Sequence, residues 1–136
     1  MSFRVEKKFL LHSQNLPKFY SFLEENKFFK LYPDRQIYSY YFDNNYNQMH
    51  IDSEEGVTPR KKIRLRWYNY FTPRNILLLE KKINSVEGRF KISKSIDLKH
   101  FRSLINTGIF DNIYGRCNSK IIVNYYRSYF ISNDVR

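Results

Sequence analysis

Three cations alternate along one short segment of the chain, and their spacing is typical of a surface that binds an anion. Lys62, Arg64 and Arg66 are separated by single residues, of which Ile63 and Leu65 are apolar. Side chains two residues apart point to the same face of a β-strand, so the three cations would lie about 7 Å apart. Like charges in a row repel each other unless an anion lies between them. The segment therefore predicts a strand with an anionic ligand on its polar face.

The same pattern recurs elsewhere, because several predicted strands place cations opposite an apolar face. The predicted strands cover residues 3–11, 37–43, 60–71, 76–84, 89–95 and 120–131, and all of them except 37–43 carry such cations. The charged residues on their polar faces are Arg4, Glu6, Lys8, Lys62, Arg64, Arg66, Glu80, Lys82, Arg89, Lys91 and Arg127. In an ordinary antiparallel sheet this would simply be the wet face. If the sheet curls, however, the charged faces converge around an interior that needs an anion.

The remaining segments predict two helices and a loop. One helix is expected over residues 15–26 and the other over 98–106, where Asp97 suits the N-cap and Gly108 suits the C-terminal end. Residues 44–59 are polar and predict a loop or a short edge strand. The turn at 72–75 joins two strands as a hairpin. Together these elements predict an α+β fold that is mainly antiparallel β.

Composition limits the classes of partner. The 136 residues include 24 Lys and Arg against 13 Asp and Glu, for a net charge of +11. Such a field attracts nucleotides, nucleic acid, polyphosphate or anionic lipid. No apolar run approaches the roughly 20 residues of a membrane span, and the charged N-terminus is not typical of a signal peptide. With Cys117 as its single cysteine, the chain is predicted to be a reduced, cytoplasmic protein.

The sequence lacks several familiar catalytic arrangements. It contains four glycines and no Gly-rich loop ending in Gly-Lys-Ser or Gly-Lys-Thr. His12, His50 and His100 are scattered, and no Ser-His-Asp or Cys-His arrangement is suggested. The chain thus offers cations rather than a nucleophile. Phosphoryl transfer suits such a chain, since it depends on positioning and charge neutralisation, and the planar fork of arginine matches phosphate oxygens.

Six short motifs occur along the chain in a characteristic order. They are Arg4-x-Glu6-x-Lys8, Tyr41-Phe42-Asp43, Lys62-x-Arg64-x-Arg66-x-Tyr68, Leu79-Glu80-x-Lys82, Lys91 after Gly88, and Tyr125-Tyr126-Arg127. Their order and spacing resemble the VTC domain, the catalytic domain of polyphosphate polymerases, which belongs to the triphosphate tunnel metalloenzymes. The resemblance implies one tunnel domain over residues 1–136: a triphosphate-tunnel-type β-barrel lined with basic residues, with two flanking helices.

The resemblance also implies an activity, which is transfer of the γ-phosphoryl group of ATP onto polyphosphate with release of ADP. It implies a divalent metal, Mn²⁺ or Mg²⁺, with ATP and inorganic polyphosphate as partners and no stable nucleic acid. The residues expected to act in catalysis are Arg64, Arg66, Lys82 and Arg127. Those expected to bind phosphate are Lys8, Lys62, Arg64, Arg66, Lys82, Lys91, Lys94 and Arg127, where Lys91 and Lys94 are alternatives for one tunnel lysine. Glu6 and Glu80 are candidate metal ligands, or else ion-pair partners of Lys8 and Lys82.

The chain departs from the family pattern at its C-terminal end. The family domain continues beyond Asp134-Val135-Arg136 into strands that supply another acidic metal ligand and another lysine. The sequence therefore predicts the N-terminal two-thirds of a tunnel domain, which makes the barrel incomplete. It would be either a fragment of a longer gene product or a degenerate or self-assembling version. An open strand edge would favour self-association.

Three other functions are compatible with the same residues. The first is hydrolysis of triphosphate, with water in place of the phosphate acceptor. The second is a non-catalytic module that binds polyanions or RNA, for which Trp67 and the tyrosines would form a stacking platform. The third is a basic structural domain without a ligand, which requires Arg64 and Arg66 to face bulk solvent.

Overall fold

A computed structural model describes residues 6–74 and 76–133 of the chain. The chain divides into two compact units, one of residues 1–34 with 128–136 and the other of residues 35–127. The organisation of residues 1–136 as a single domain stays a prediction. No helix in the described part of the chain is long and apolar enough to cross a membrane.

The described elements are three α-helices, a short 3₁₀ turn and six β-strands. The helices are α1 (Leu16–Glu25), α2 (Gln48–Glu55) and α3 (Leu98–Thr107). The strands are β1 (Phe28–Asp43), β2 (Arg60–Tyr68), β3 (Leu77–Ser85), β4 (Gly88–Ile96), β5 (Ile109–Asp111) and β6 (Gly115–Ser132). They form one antiparallel sheet in the order β4-β3-β2-β1-β6-β5. The predicted α+β fold with mainly antiparallel β-structure is confirmed.

Two predicted elements differ in type from those observed, while β1 and β6 begin earlier than the predicted residues 37 and 120, and β5 was not predicted. Residues 6–11 are not part of a strand, and residues 3–5 lie outside the described ranges. The side chains of Phe9 and Leu10 are 86% and 88% exposed. The apolar residues of this segment therefore do not form a buried face. Residues 44–59, predicted as a loop or edge strand, contain helix α2.

The apolar face of the central strands packs against helix α3. Trp67 on β2 is stacked on Tyr38 at 5.6 Å between ring centres, and Phe101 of α3 meets Trp67 edge-on at 5.7 Å. Ile63 and Leu65 are fully buried on the same face of β2. Because alternate residues of a strand point in opposite directions, this packing fixes the direction of the cations between them.

Helix α2 follows β1 directly because the side chain of Asp43 caps its first turn. The Asp43 carboxylate accepts hydrogen bonds from the backbone N–H groups of Asn44 at 2.8 Å and of Met49 and His50 at 2.9 Å. At the other end of α2, Asp52 accepts a hydrogen bond from the hydroxyl of Tyr114 at 2.7 Å. The helix is therefore held at both ends by side chains from neighbouring segments.

This capping arrangement predicts unequal losses for two Asp-to-Ala substitutions. Asp43→Ala removes the partner of three backbone donors in a buried position, so we expect a loss of about 2 kcal/mol in the free energy of unfolding. Asp97→Ala removes an exposed cap, whose backbone partner is the N–H of His100, and we expect a smaller loss in the free energy of unfolding. Urea denaturation followed by circular dichroism measures both, and equal losses would contradict the assignment.

Candidate functional site

Three lysines form a row across strands β2, β3 and β4. Lys62 is paired with Lys82, and Lys82 is paired with Lys91. Directly opposed side chains have Cβ atoms roughly 4.5–5.5 Å apart, so like charges at such positions repel each other. Burial, followed by the positive charge of Arg64, lowers the pKa of Lys82 from its ordinary value. The row would be stabilised by an anion lying over it.

A single buried carboxylate organises the next row. Glu80 is 1% exposed, and its oxygens lie 2.5 Å from Nε of Arg64, 2.6 Å from Nζ of Lys91 and 3.9 Å from Nε of Arg66. Burial alone raises the pKa of Glu80, but the hydrogen bonds from Lys91 and Arg64 outweigh it, so the pKa is lowered overall. The ionised carboxylate therefore holds these cations in defined positions.

Arg64 is held from two sides. Its Nη1 donates a hydrogen bond to the hydroxyl of Tyr41 at 3.0 Å, and its guanidinium carbon lies 5.9 Å from the centre of the Tyr41 ring. Burial lowers the pKa of Arg64, yet the hydrogen bonds with Tyr41 and Glu80 raise it overall. A guanidinium that is already oriented loses less conformational entropy when it binds a ligand.

Arg66 lies in a third row, opposite Ser39 of β1. The Nε atom of Arg66 and the Oγ atom of Ser39 are both buried, and neither makes a hydrogen bond within the described residues. A buried polar group without a partner costs about 1–3 kcal/mol. A ligand that forms hydrogen bonds with this pair of atoms would therefore be favoured on this side of the sheet.

The three rows together define what we call the cationic face. Within these described rows, five cations stand against one carboxylate. Glu80 can neutralise only part of that charge, so the face retains a strong preference for an anion. The members of the cationic face are Lys62, Arg64, Arg66, Lys82, Lys91 and Glu80.

Strand register separates the two candidates for the further tunnel lysine. Lys91 lies opposite Lys82 on the cationic face, whereas Lys94 lies opposite Leu79. Leu79 packs against the apolar core, so Lys94 projects from the other face of β4. We therefore include Lys91 and leave Lys94 out of the site.

Three further predicted residues do not belong to the strand rows that define the cationic face. Arg127 is exposed on β6, where its Nη2 donates to the hydroxyl of Tyr125 at 3.1 Å and its guanidinium carbon lies 5.2 Å from that ring centre. Glu6 and Lys8 belong to the first compact unit and form an exposed ion pair at 3.7 Å. The structure thus shows no contact of Glu6 with a second carboxylate in the described residues.

The surroundings of the Glu80 carboxylate do not suit a divalent metal. The carboxylate of Glu80 is surrounded by three cations, and their charge opposes a second positive ion. Ions such as Mg²⁺ and Mn²⁺ need several oxygen ligands at once. Residues 6–74 and 76–133 contain no group of three or more His, Cys, Asp or Glu side chains able to hold a metal. Glu80 fits an ion-pair role better than that of a metal ligand.

A cleft that was missed from the sequence lies beside Lys62 and has a volume of about 440 Å³. Its walls come from β1, from helix α2 and from β6, which contributes Ile121, Val123 and Lys120. Sequence patterns gave no signal for this cleft because α2 was expected to be a loop.

The depressed pKa of Glu80 predicts how its contribution to stability depends on pH. Its folded pKa lies below the unfolded value near 4.5, so its contribution is complete above that pH and is lost as pH falls through the folded pKa. Glu80→Gln should lower the free energy of unfolding by about 3 kcal/mol at neutral pH, because the neighbouring cations lose their counter-charge.

Urea denaturation at about pH 7 and about pH 3 tests this expectation, since the cost should shrink at the acidic pH. Glu87→Gln, which changes an exposed carboxylate in the β3–β4 turn, is the matched control and should have little effect at either pH. A cost for Glu80→Gln that stays constant would show that the ionised form is not the stabilising one.

Comparison with protein-family models identifies the family of this chain. No curated protein matches it. The family model of the VTC domain, in contrast, matches residues 3–136, which is nearly its whole length. The match includes all the strands and helices described above. The chain belongs to the VTC domain family.

Proposed function

We propose that the cationic face binds the phosphate groups of ATP and polyphosphate, as part of a polyphosphate polymerase that uses ATP. The observation that carries the proposal is the lysine row of Lys62, Lys82 and Lys91, beside which the described part of the chain places Arg64 and the single carboxylate of Glu80. Membership of the VTC family relates the chain to polyphosphate and to the tunnel-fold superfamily. A polyphosphate chain carries its negative charges in a line, so it can neutralise several aligned cations at once. A single phosphate would neutralise charge at only one point of the row.

The reaction requires little covalent chemistry from the protein. A terminal oxygen of the polyphosphate acceptor forms a bond to the γ-phosphorus of ATP. The bond from that phosphorus to the β–γ bridging oxygen breaks, and ADP leaves with the electron pair. Negative charge grows on the bridging oxygen during this step, so fixed cations stabilise the transition state.

Different residues of the face suit different parts of this task. Arg64 is pre-oriented by Glu80 and Tyr41, so its fork can position phosphate oxygens. Burial, and after it the charge of neighbouring cations, lowers the pKa of Lys82, and an arriving phosphate would favour its protonated form. The family resemblance further implies Mn²⁺ or Mg²⁺, but no residue of the described chain is assigned to that ion.

An RNA-stacking surface is less well supported. That function requires exposed aromatic rings between the cations. Trp67 is 3% exposed and lies in the core between Tyr38 and Phe101, on the face opposite Arg66. The aromatic residue best suited to stacking is therefore used in packing.

Phosphate binding by the lysine row predicts a clear effect of one double substitution. Lys62→Ala/Lys82→Ala removes two opposed cations and should weaken binding of tripolyphosphate by about 10-fold or more. The same change relieves charge repulsion, so the protein should not lose stability. Isothermal titration calorimetry measures the affinity.

The matched control is Lys94→Ala/Lys99→Ala, which removes the same charge from exposed positions outside the cationic face. The affinity of this control variant for tripolyphosphate should fall by less than about 2-fold, because the net positive charge of the protein is lower. Equal losses in the two double variants would mean that net charge, rather than the row, binds the phosphate.

The products formed from ATP labelled at the γ-phosphate test the reaction. With Mn²⁺ and a polyphosphate primer, we expect the label in long chains on a gel, at a rate reduced in Arg64→Ala. Release of the label only as orthophosphate would overturn polymerisation and would indicate a triphosphate hydrolase on the same fold.

A further inference from the structure

The cleft beside Lys62 lies within the second compact unit, where β1 ends and helix α2 begins. Tyr41 forms one wall, Met49 and His50 of α2 form another, and Val123 of β6 contributes to a third. Its volume of about 440 Å³ falls within the range of roughly 300–1,000 Å³ that is usual for small-molecule sites.

Two residues connect the cleft to the cationic face. Lys62 lines the cleft and is also the first member of the lysine row. Tyr41 also lines the cleft, and its hydroxyl accepts a hydrogen bond from Arg64. A ligand with phosphates on the row and a second group attached to them could therefore place that group in the cleft.

The chemistry of the cleft favours an uncharged planar group over another phosphate. Met49, Ile121 and Val123 supply apolar surface, and Tyr41 supplies an aromatic ring. The N–H groups of the first turn of α2 that would attract an anion are already bonded to the carboxylate of Asp43. Lys120 also lines the cleft and offsets the charge of Asp43, so the apolar lining decides the preference, because a heterocycle would bury that surface and a phosphate would not.

Polar groups at the margin of the cleft suit the edge of such a heterocycle. Asn47 immediately precedes α2, and His50 and Ser53 lie within it; all three can donate or accept hydrogen bonds. An apolar site with a few polar groups of this kind is the usual pattern for recognition of a small organic ligand.

We propose that this cleft binds the nucleobase of a nucleoside triphosphate whose phosphates lie along the row of Lys62, Lys82 and Lys91. The proposal rests on the phosphate-binding role of the cationic face given above. It adds a specificity determinant, because bare polyphosphate would leave the cleft unfilled. The base would thereby identify the donor of the phosphoryl group, and the acceptor chain would bind through its phosphates alone.

Substitution of Val123 separates binding of the base from binding of phosphate. Val123→Trp should fill the cleft, and a large aromatic residue is acceptable on a strand. We expect it to weaken binding of ATP by about 10-fold while binding of tripolyphosphate changes by less than about 2-fold. Val86→Trp, at a position 90% exposed in the β3–β4 turn, is the matched control and should change neither affinity.

The outcomes distinguish this inference from the proposed function. If the unmodified chain binds neither ligand, the phosphate-binding role fails and the inference fails with it. If tripolyphosphate binds but Val123→Trp leaves ATP binding unchanged, or weakens both ligands equally, the cleft assignment is wrong and the phosphate site stands.

A second measurement does not depend on the fold of a variant. In saturation-transfer NMR with the unmodified chain and ATP, irradiation of protein methyl groups should saturate the adenine protons H2 and H8, since Ile121 and Val123 line the cleft. Added adenosine should reduce this transfer without displacing tripolyphosphate. Absence of transfer to the adenine protons would overturn the inference.

Discussion

The ionised carboxylate of Glu80 is the interaction on which the cationic face depends. It is nearly inaccessible to solvent and is placed between cations from two strands, so its charge is opposed at short range in a poorly hydrated environment. Without it, Arg64, Arg66 and Lys91 would repel each other. With it, the arginines are oriented and the lysine row keeps an excess of positive charge. Glu80 therefore fixes the geometry of the face but does not satisfy its charge.

The β2–β3 hairpin connects this electrostatic arrangement to the core. Trp67 and Leu65 are buried against aromatic residues and helix α3, and the residues between them carry the cations. Packing on one face thereby determines where the charged groups lie on the other. A change in register by one residue would reverse both faces at once, so the apolar core and the cationic face are maintained by the same constraint.

The alternation within one strand could be predicted from the sequence, because it depends only on the two-residue period. The pairing between strands could not. The choice between Lys91 and Lys94 depends on the register of β3 and β4, which is fixed by a two-residue turn at Val86 and Glu87. Helix α2 was missed because its first turn is capped by Asp43 from the preceding strand, and because its own residues are mostly polar.

Two other failures have related causes. Alternation over residues 3–11 indicated a strand, yet a strand also requires a hydrogen-bonding partner, and residues 6–11 are exposed and irregular. The cleft is formed by segments that are distant in the chain, so no local pattern could indicate it. Candidate phosphate-binding residues on the same strand could be predicted from the sequence. Those that depend on the pairing of several strands were harder to predict.

The most direct test of the central claim is a crystal structure of the chain with bound tripolyphosphate. Our account predicts phosphate groups over the row of Lys62, Lys82 and Lys91, with Arg64 in contact with at least one phosphate oxygen and the Arg64–Glu80 ion pair intact. Tripolyphosphate bound instead at the opposite face, near Lys94 and Lys99, or bound after rupture of that ion pair, would contradict it.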